Sequence, residues 1–72
     1  MAFDFNKLRG RIKERFGSEK AFAEAMEMAQ SNISARLNGS IHWRAEEIKR
    51  ASDLLEIPDN DMVAYFFTPK VR

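Results

Sequence analysis

Apolar residues recur along most of the chain at intervals of three and four, the spacing of α-helices that bury one face. In the first such segment these positions are Phe5, Leu8, Ile12 and Phe16. Asp4 is suited to cap the start of a helix, and Gly17 is suited to end one. The pattern predicts a first helix between these two residues.

Two short helices are predicted next. Ser18 is a good cap for the segment EKAFAEAMEM, whose inward positions are Phe22, Ala25 and Met26. A break near Glu27 and Met28 leads into a third helix over residues 30–38, with Ile33 and Leu37 inward and Asn38-Gly39 as its stop.

The remaining segments predict two further helices and a tail. After the loop GSIHW, a fourth helix is expected over residues 44–55 and is closed by Pro58. Asp59 is expected to cap a short fifth helix in DNDMVAYFF, and residues 67–72 form a tail. Because Phe66 and Phe67 are adjacent, they cannot both enter one small core. The expected fold of residues 1–72 is a single all-α domain of five helices.

Composition excludes several classes of protein. The chain has 72 residues, no cysteine and one histidine, His42, so it offers neither a disulfide framework nor a thiolate metal site. It also lacks a glycine-rich phosphate loop and a recognisable acid–base pair, so neither an enzyme nor a cofactor or metal is expected. No apolar run is long enough to span a membrane and no secretory signal is evident, which predicts a cytoplasmic protein without a membrane partner.

Charge is distributed unevenly although the net charge is only +1. Residues 1–20 hold six cationic and three acidic residues, whereas residues 40–61 hold three cationic and six acidic ones. Lys7, Arg11 and Arg15 recur every fourth residue, either as a basic stripe or as an ordinary solvated helix face. One side could hold a polyanion and the other a basic protein surface.

The second and third predicted helices and the turn between them have the arrangement of a helix-turn-helix, over residues 18–38. If Ile33 and Leu37 face the core, the opposite arc of the third helix is polar or small. Its side chains could contact DNA bases or merely solvate the helix. The candidate DNA-binding residues are Gln30, Ser31, Asn32, Ser34, Ala35, Arg36 and Asn38.

The predicted helix-turn-helix segment resembles a known family. Phe22-Ala23, Met26, Met28, QSNIS and Leu37-Asn38-Gly39 stand at the intervals of the phage Cro and repressor type of helix-turn-helix, with its lambda-repressor-like fold. The resemblance implies that Gln30, Ser31, Ser34 and Ala35 face bases, and that the start of the second helix and the Asn38-Gly39 turn approach phosphates.

A narrower resemblance covers nearly the whole chain. MAFDFNKLRGRI, KRASDLLEIPDNDM and YFFTPKVR are similar to short phage regulators, both Cro-like proteins and modulator-of-repression proteins. The latter act as antirepressors in the choice between lysis and lysogeny by associating with the phage repressor. This resemblance implies a phage repressor as partner. The alternative is a Cro-like repressor that binds operator DNA as a homodimer.

Departures from the family pattern favour a protein partner. Glu27 stands where a turn glycine is usual, and Ala29 where a capping Ser or Thr is common. Between Ser18 and Ser40 the only cations are Lys20 and Arg36, so the chain alone should bind DNA weakly. The candidate partner-binding residues are Glu19, Glu24, Glu27 and Met28. The alternative is that the acidic residues serve only solubility and that the methionines fill the core.

Overall fold

Five α-helices form in the predicted order. The computed structural model describes residues 3–70. The helices are α1 (Asn6–Phe16), α2 (Glu19–Met26), α3 (Gln30–Leu37), α4 (Ala45–Leu54) and α5 (Met62–Phe66). The all-α prediction is confirmed, and no helix within residues 3–70 is long and apolar enough to cross a membrane.

The junction between α1 and α2 follows the sequence signals. Gly17 adopts φ 84° and its N–H donates to the carbonyl of Lys13 at 2.9 Å. Ser18 caps α2 by accepting a hydrogen bond from the Ala21 N–H at 3.1 Å. Asp4 is not the N-cap residue that was predicted, because the N-cap of α1 is Phe5. Asp4 lies one residue earlier, and its carboxylate accepts a hydrogen bond from the Asn6 N–H at 2.8 Å.

The fifth helix is shorter than predicted. Residues Asp59–Asp61 form a 3-10 turn, in which the Asp61 N–H donates to the carbonyl of Pro58 at 2.9 Å. The α-helix begins only at Met62, so Asp59 lies within this turn and is not the cap of α5. The tight i to i+3 bonding after Pro58 thus replaces the expected first α-helical turn.

The core lies where the apolar faces of the helices meet. Helix α2 packs against α1, α3 and α4, while α1 packs against α5. In α2 the buried alanine is Ala23, whereas the predicted Ala25 is only half-buried. The largest fully buried side chains are Phe22, Phe66, Leu8, Ile12, Ile33 and Leu55.

The two ends of the described chain meet. Phe3 and Pro69 form an isolated antiparallel β-bridge, and the Asp4 N–H donates to the carbonyl of Thr68 at 2.8 Å. Phe66 is buried, while its neighbour Phe67 stays 42% exposed, as their adjacency predicts. The tail therefore begins as an extended segment held by the residues just before α1.

The basic residues of α1 fasten this helix to its neighbours. The Arg11 Nε donates to the carbonyl of Leu55 at 2.9 Å, and Arg15 forms an ion pair with Glu56. The Lys7 ammonium lies 4.9 Å from the centroid of the Tyr65 ring. The predicted stripe is therefore largely engaged in internal contacts, and it is neither a plain solvated face nor a row of unpaired cations.

Candidate macromolecular interface

The turn between α2 and α3 contains three residues and one unusual backbone conformation. Glu27 adopts φ 59°, and its N–H donates to the carbonyls of Ala23 and Glu24. The Met28 N–H also donates to the Ala23 carbonyl, at 2.9 Å. Glu27 therefore takes the left-handed conformation in which glycine is usual, as its place in the pattern of the resembling family predicted.

Helix α3 begins without a side-chain cap. Ala29 is the N-cap residue with extended backbone angles, φ −65° and ψ 144°, and no side chain bonds the first N–H groups of the helix. Gln30 and Ser31 in this first turn are exposed, as is Asn32. The start of α3 is therefore open to a partner along its polar side.

Ser34 and Ala35, in the middle of the candidate DNA-binding face, are half-buried. The Ser34 hydroxyl donates to Glu19 Oε1 at 3.0 Å, and Glu19 Oε2 pairs with Arg9 at 3.0 Å. Glu19 is itself partly buried between these two partners. The carboxylate predicted to meet a protein partner thus lies against the face predicted to contact bases.

Arg36 departs from the predicted position on the outer flank of α3. It is only 8% exposed and forms two bonds with Glu47 of α4, from Nε to Oε1 at 2.8 Å and from Nη2 to Oε2 at 3.0 Å. Its Nη1 donates to the carbonyl of Asn32 at 3.0 Å. Because all three nitrogens are engaged internally, Arg36 joins α3 to α4 and does not present a cation on the surface.

The Glu47 carboxylate also fixes the start of α4 by accepting the Arg44 N–H at 2.9 Å. Burial alone would raise the pKa of Glu47. The hydrogen bonds from Arg36 and from the Arg44 backbone, together with the two positive charges, outweigh burial and lower the pKa below its ordinary value of 4.5. Glu47 is therefore ionised at neutral pH.

Asn38 shapes the exit from α3. Its Oδ1 accepts from the Ser40 N–H at 3.0 Å and from the Ser40 hydroxyl at 2.6 Å, while Gly39 takes φ 86°. Asn38 and Ser40 remain exposed. The side chain that was predicted to approach a phosphate thus also holds the turn in which it lies.

The other candidate partner-binding residues differ in their exposure and in their internal contacts. Glu24 is exposed and forms no ion pair within residues 3–70, whereas Glu27 pairs with Arg50 at 2.8 Å. Met28 is half-buried against the core. Sequence reasoning missed the Arg50 contact, because only the fold brings α4 beside the turn.

Most charges of the α2–turn–α3 segment are engaged in ion pairs. Of its two cations, Lys20 is exposed, but Arg36 is neutralised internally by Glu47. Among its carboxylates, Glu19 pairs with Arg9 and Glu27 pairs with Arg50, whereas Glu24 forms no ion pair within residues 3–70. The segment therefore offers few cations to phosphate.

Fold and surface together define a small all-helical domain whose α2–turn–α3 segment presents polar and acidic groups. A family model described as "Protein of unknown function (DUF739)" matches residues 1–69, and the chain belongs to this family. No curated protein matches the chain.

Among solved structures, the chain is similar to the modulator of repression (MOR) of the temperate bacteriophage TP901-1 from Lactococcus lactis, determined in solution. The two share 36% sequence identity with a TM-score of 0.83, over 100% of this chain and 97% of the other. The predicted resemblance to modulator-of-repression proteins is thereby confirmed. That relative is named as a regulator and not as an enzyme, in line with the sequence-based expectation.

Proposed function

We propose that this protein is an antirepressor of a temperate phage, a modulator of repression that binds the phage repressor in the choice between lysis and lysogeny. The observation that carries the proposal is the full-length likeness to the TP901-1 modulator of repression, at 36% identity. The site of action would be the cytoplasm of the bacterial host.

Within this proposal, the α2–turn–α3 segment is a helix-turn-helix. Its support is local geometry: two eight-residue helices, a three-residue turn with a left-handed first residue, and exposed Gln30 and Ser31 at the start of the second helix. This arrangement is the one that places a helix in the major groove of DNA. Here it serves as the framework for contact with the repressor.

Exposed carboxylates supply the binding chemistry. A repressor must carry cations to hold operator phosphates, and such a surface attracts the carboxylate of Glu24, while Glu27 would exchange its ion pair with Arg50 for one with the repressor. Ser31 and Gln30 can add hydrogen bonds at the start of α3. Met28 is half-buried, so its contribution would be a small apolar contact at the edge of this surface.

The alternative, a Cro-like homodimer that binds operator DNA by itself, is favoured less by the surface charges. Each phosphate neutralised on duplex DNA strengthens binding and steepens its salt dependence by close to one power of salt concentration. With Arg36 engaged by Glu47, Lys20 is the one remaining cation of the described α2–turn–α3 segment. A mixed complex, in which the repressor supplies the phosphate contacts, is compatible with this surface.

The test is a titration against the repressor encoded in the same phage or prophage genome, and against a duplex carrying its operator. Calorimetry measures the protein–protein complex, and fluorescence anisotropy of labelled duplex measures DNA binding at several salt concentrations. We expect binding to the repressor in the absence of DNA, and weak DNA binding with a shallow salt slope for the protein alone.

Charge reversal locates the contact. Glu24→Lys should weaken the complex with the repressor at least tenfold, whereas the matched control Asp61→Lys, which changes an exposed carboxylate outside α2 and α3, should leave it unchanged. Tight operator binding without repressor, lost in Gln30→Ala, would instead establish the Cro-like alternative.

A further inference from the structure

Glu19, the first residue of α2, connects three helices through its carboxylate. Its Oε2 accepts a hydrogen bond from Arg9 Nη1 of α1, and its Oε1 accepts one from the Ser34 hydroxyl of α3, both at 3.0 Å. The side chains of Arg9 and Glu19 are 40% and 30% exposed. The ion pair therefore lies at the surface, where an approaching macromolecule would meet it.

Ser34 belongs to the polar face of α3. It lies on the same side of the helix as Gln30 and Ser31, because residues three and four apart are neighbours on a helix. A hydroxyl has one proton to donate, and the Ser34 hydroxyl donates it to Glu19. Ser34 therefore has no donor left for a phosphate oxygen or for an acceptor atom on the edge of a base.

A duplex that received α3 in its major groove would bring phosphates towards Glu19. The groove is about 12 Å wide, close to the roughly 10–12 Å diameter of a helix with its side chains, so phosphates flank an inserted helix. The first helix of a helix-turn-helix crosses the DNA backbone, and Glu19 begins that helix here. A carboxylate and a phosphate both offer only acceptors, so they repel each other and share no hydrogen bond.

Glu19 also balances the cations nearest to it. It is the one carboxylate among the residues that line the cleft between α1 and α2, which are Arg9, Ile12, Lys13, Gly17, Ser18 and Glu19. Asp4 shares a neighbouring cleft with Arg9 but forms no ion pair with it. Lys13 and Lys20 are exposed and form no ion pair within residues 3–70. Without the charge of Glu19, this edge of the domain would be cationic.

We propose that Glu19 is a specificity-determining residue that keeps this helix-turn-helix from binding duplex DNA. It acts through two contacts, because it occupies the donor of Ser34 and offsets the charge of Arg9. The inference rests on the helix-turn-helix arrangement proposed above, and it goes beyond repressor binding by naming the residue that excludes a competing ligand. Specificity is a difference between two affinities, and a repulsive group placed against the wrong partner is one way to create it.

The experiment measures duplex binding by the full chain in the absence of repressor. Glu19→Gln removes the charge and keeps the size of the side chain, while Glu19→Ala also frees the Ser34 hydroxyl. Fluorescence anisotropy of a labelled operator duplex gives Kd between about 50 and 200 mM salt. At the lower salt concentration, Glu19→Gln should bind about tenfold more tightly than the wild type, with a salt slope steeper by about 0.9, as expected for one further phosphate contact. Glu19→Ala should bind at least as tightly as Glu19→Gln.

The double variant Arg9→Gln/Glu19→Gln tests the contribution of Arg9. Its affinity and salt slope should return to those of the wild type, because the cation that Glu19→Gln sets free is then missing. A gain that persists in the double variant would overturn the contact through Arg9.

Glu14→Gln is the matched control, since it produces the same net charge and also removes a carboxylate paired with an arginine of α1. Glu14 pairs with Arg11 at 2.8 Å, and Arg11 faces the end of α4, where its Nε donates to the Leu55 carbonyl. This variant should bind duplex within about twofold of the wild type, because one exposed charge far from α3 adds no phosphate contact.

A residue that only braced the three helices would give a different result. Glu19→Gln would then lower the free energy of unfolding without any gain in duplex affinity. Unchanged affinity and salt slope in both Glu19 variants would overturn the inference, as would an equal gain in Glu14→Gln.

Circular dichroism and tryptophan fluorescence check that each variant is folded. Trp43 is the only tryptophan, and it lines an apolar cavity with Ile41 and Phe67 that Glu19 does not line, so its emission should stay unchanged. The duplex titrations contain no repressor. Absence of a complex between the wild-type chain and the repressor would therefore overturn the repressor-binding function and leave the role of Glu19 against DNA intact.

Discussion

Glu27 holds a backbone conformation that glycine adopts at much lower cost. Its φ of 59° places it in the left-handed region, where a side chain destabilises the fold by about 1 kcal/mol. The exposed ion pair with Arg50 offsets only a fraction of this destabilisation. Glu27→Gly should raise the free energy of unfolding by about 1 kcal/mol, or roughly 4–8 °C in Tm for a domain of this size. Urea and thermal unfolding measure the change.

Glu27→Ala is the control, because it removes the same ion pair and keeps a Cβ at the strained position. It should be no more stable than the wild type. Equal stabilisation by Gly and Ala would mean that the carboxylate, and not the backbone, is the source of the cost.

Glu47 and Arg36 depend on each other because both side chains are largely buried. Removing one partner leaves an uncompensated charge in the interior, so Glu47→Gln should lower the free energy of unfolding by about 3 kcal/mol at pH 7. The exposed neighbour Glu46 is the control, and Glu46→Gln should stay within about 0.5 kcal/mol of the wild type.

Lowering the pH should reduce the difference in the free energy of unfolding between Glu47→Gln and the wild type. The pKa of Glu47 is lower in the folded protein than its ordinary value of 4.5, so the unfolded chain takes up this proton first as pH falls. The stabilisation from Glu47 is complete above pH 4.5 and is lost as pH falls through the lower pKa of the folded state. Denaturant unfolding between pH 7 and pH 2 should show the two curves converging, and a constant gap would contradict this role of the carboxylate.

A few individual residues could be predicted. The left-handed Glu27 was expected because it stands where the family that the sequence resembles usually has a turn glycine, and the exposure of Phe67 follows from its adjacency to Phe66. Arg36 could not be placed from its own helix, because it lies three residues after Ile33 and one before Leu37, at the edge of the inward face. Only α4 supplies Glu47, the partner that draws it inside.

Helix α3 has no side-chain cap, although its N-cap residue has backbone angles that would allow one. Ala29 has the extended angles of an N-cap residue, as does Ser18, which caps α2. Ala29→Ser should therefore add about 1 kcal/mol to the free energy of unfolding, and Ser18→Ala should remove a similar amount. Amide hydrogen exchange in the first turn of each helix should slow in the first variant and speed up in the second.

Helices were predictable because their signals lie within a few residues. Gly17 and Ser18 end one helix and begin the next, and the spacing of Ile33 and Leu37 sets the buried side of α3. The Phe3–Pro69 bridge and the cavity beside Trp43 were not predicted. Both depend on residues that are distant in sequence, although Ile41 and Trp43 in a loop were a signal that a sequence alone could offer.

The free energy of unfolding of the whole molecule is expected to be small, since a chain of 72 residues buries a modest share of its surface. A partner that binds only the folded state adds about 2.7 kcal/mol when its free concentration is a hundredfold above Kd. With repressor at that excess, the slowest amides of ¹⁵N-labelled protein should exchange about a hundredfold more slowly.

Operator duplex at the same concentration is the comparison. It should slow those amides less than twofold in the absence of repressor, because the described surface of α2 and α3 offers few cations to phosphate. Equal protection by duplex and by repressor would contradict the assignment of the repressor as the principal partner.

The contact between Phe3 and Pro69 also determines where further polypeptide can leave the domain. Both ends of the described chain emerge side by side, next to the rings of Trp43 and Phe67. A fused segment joined directly to residue 3 or to residue 70 would therefore start beside these two rings, whichever end carries it.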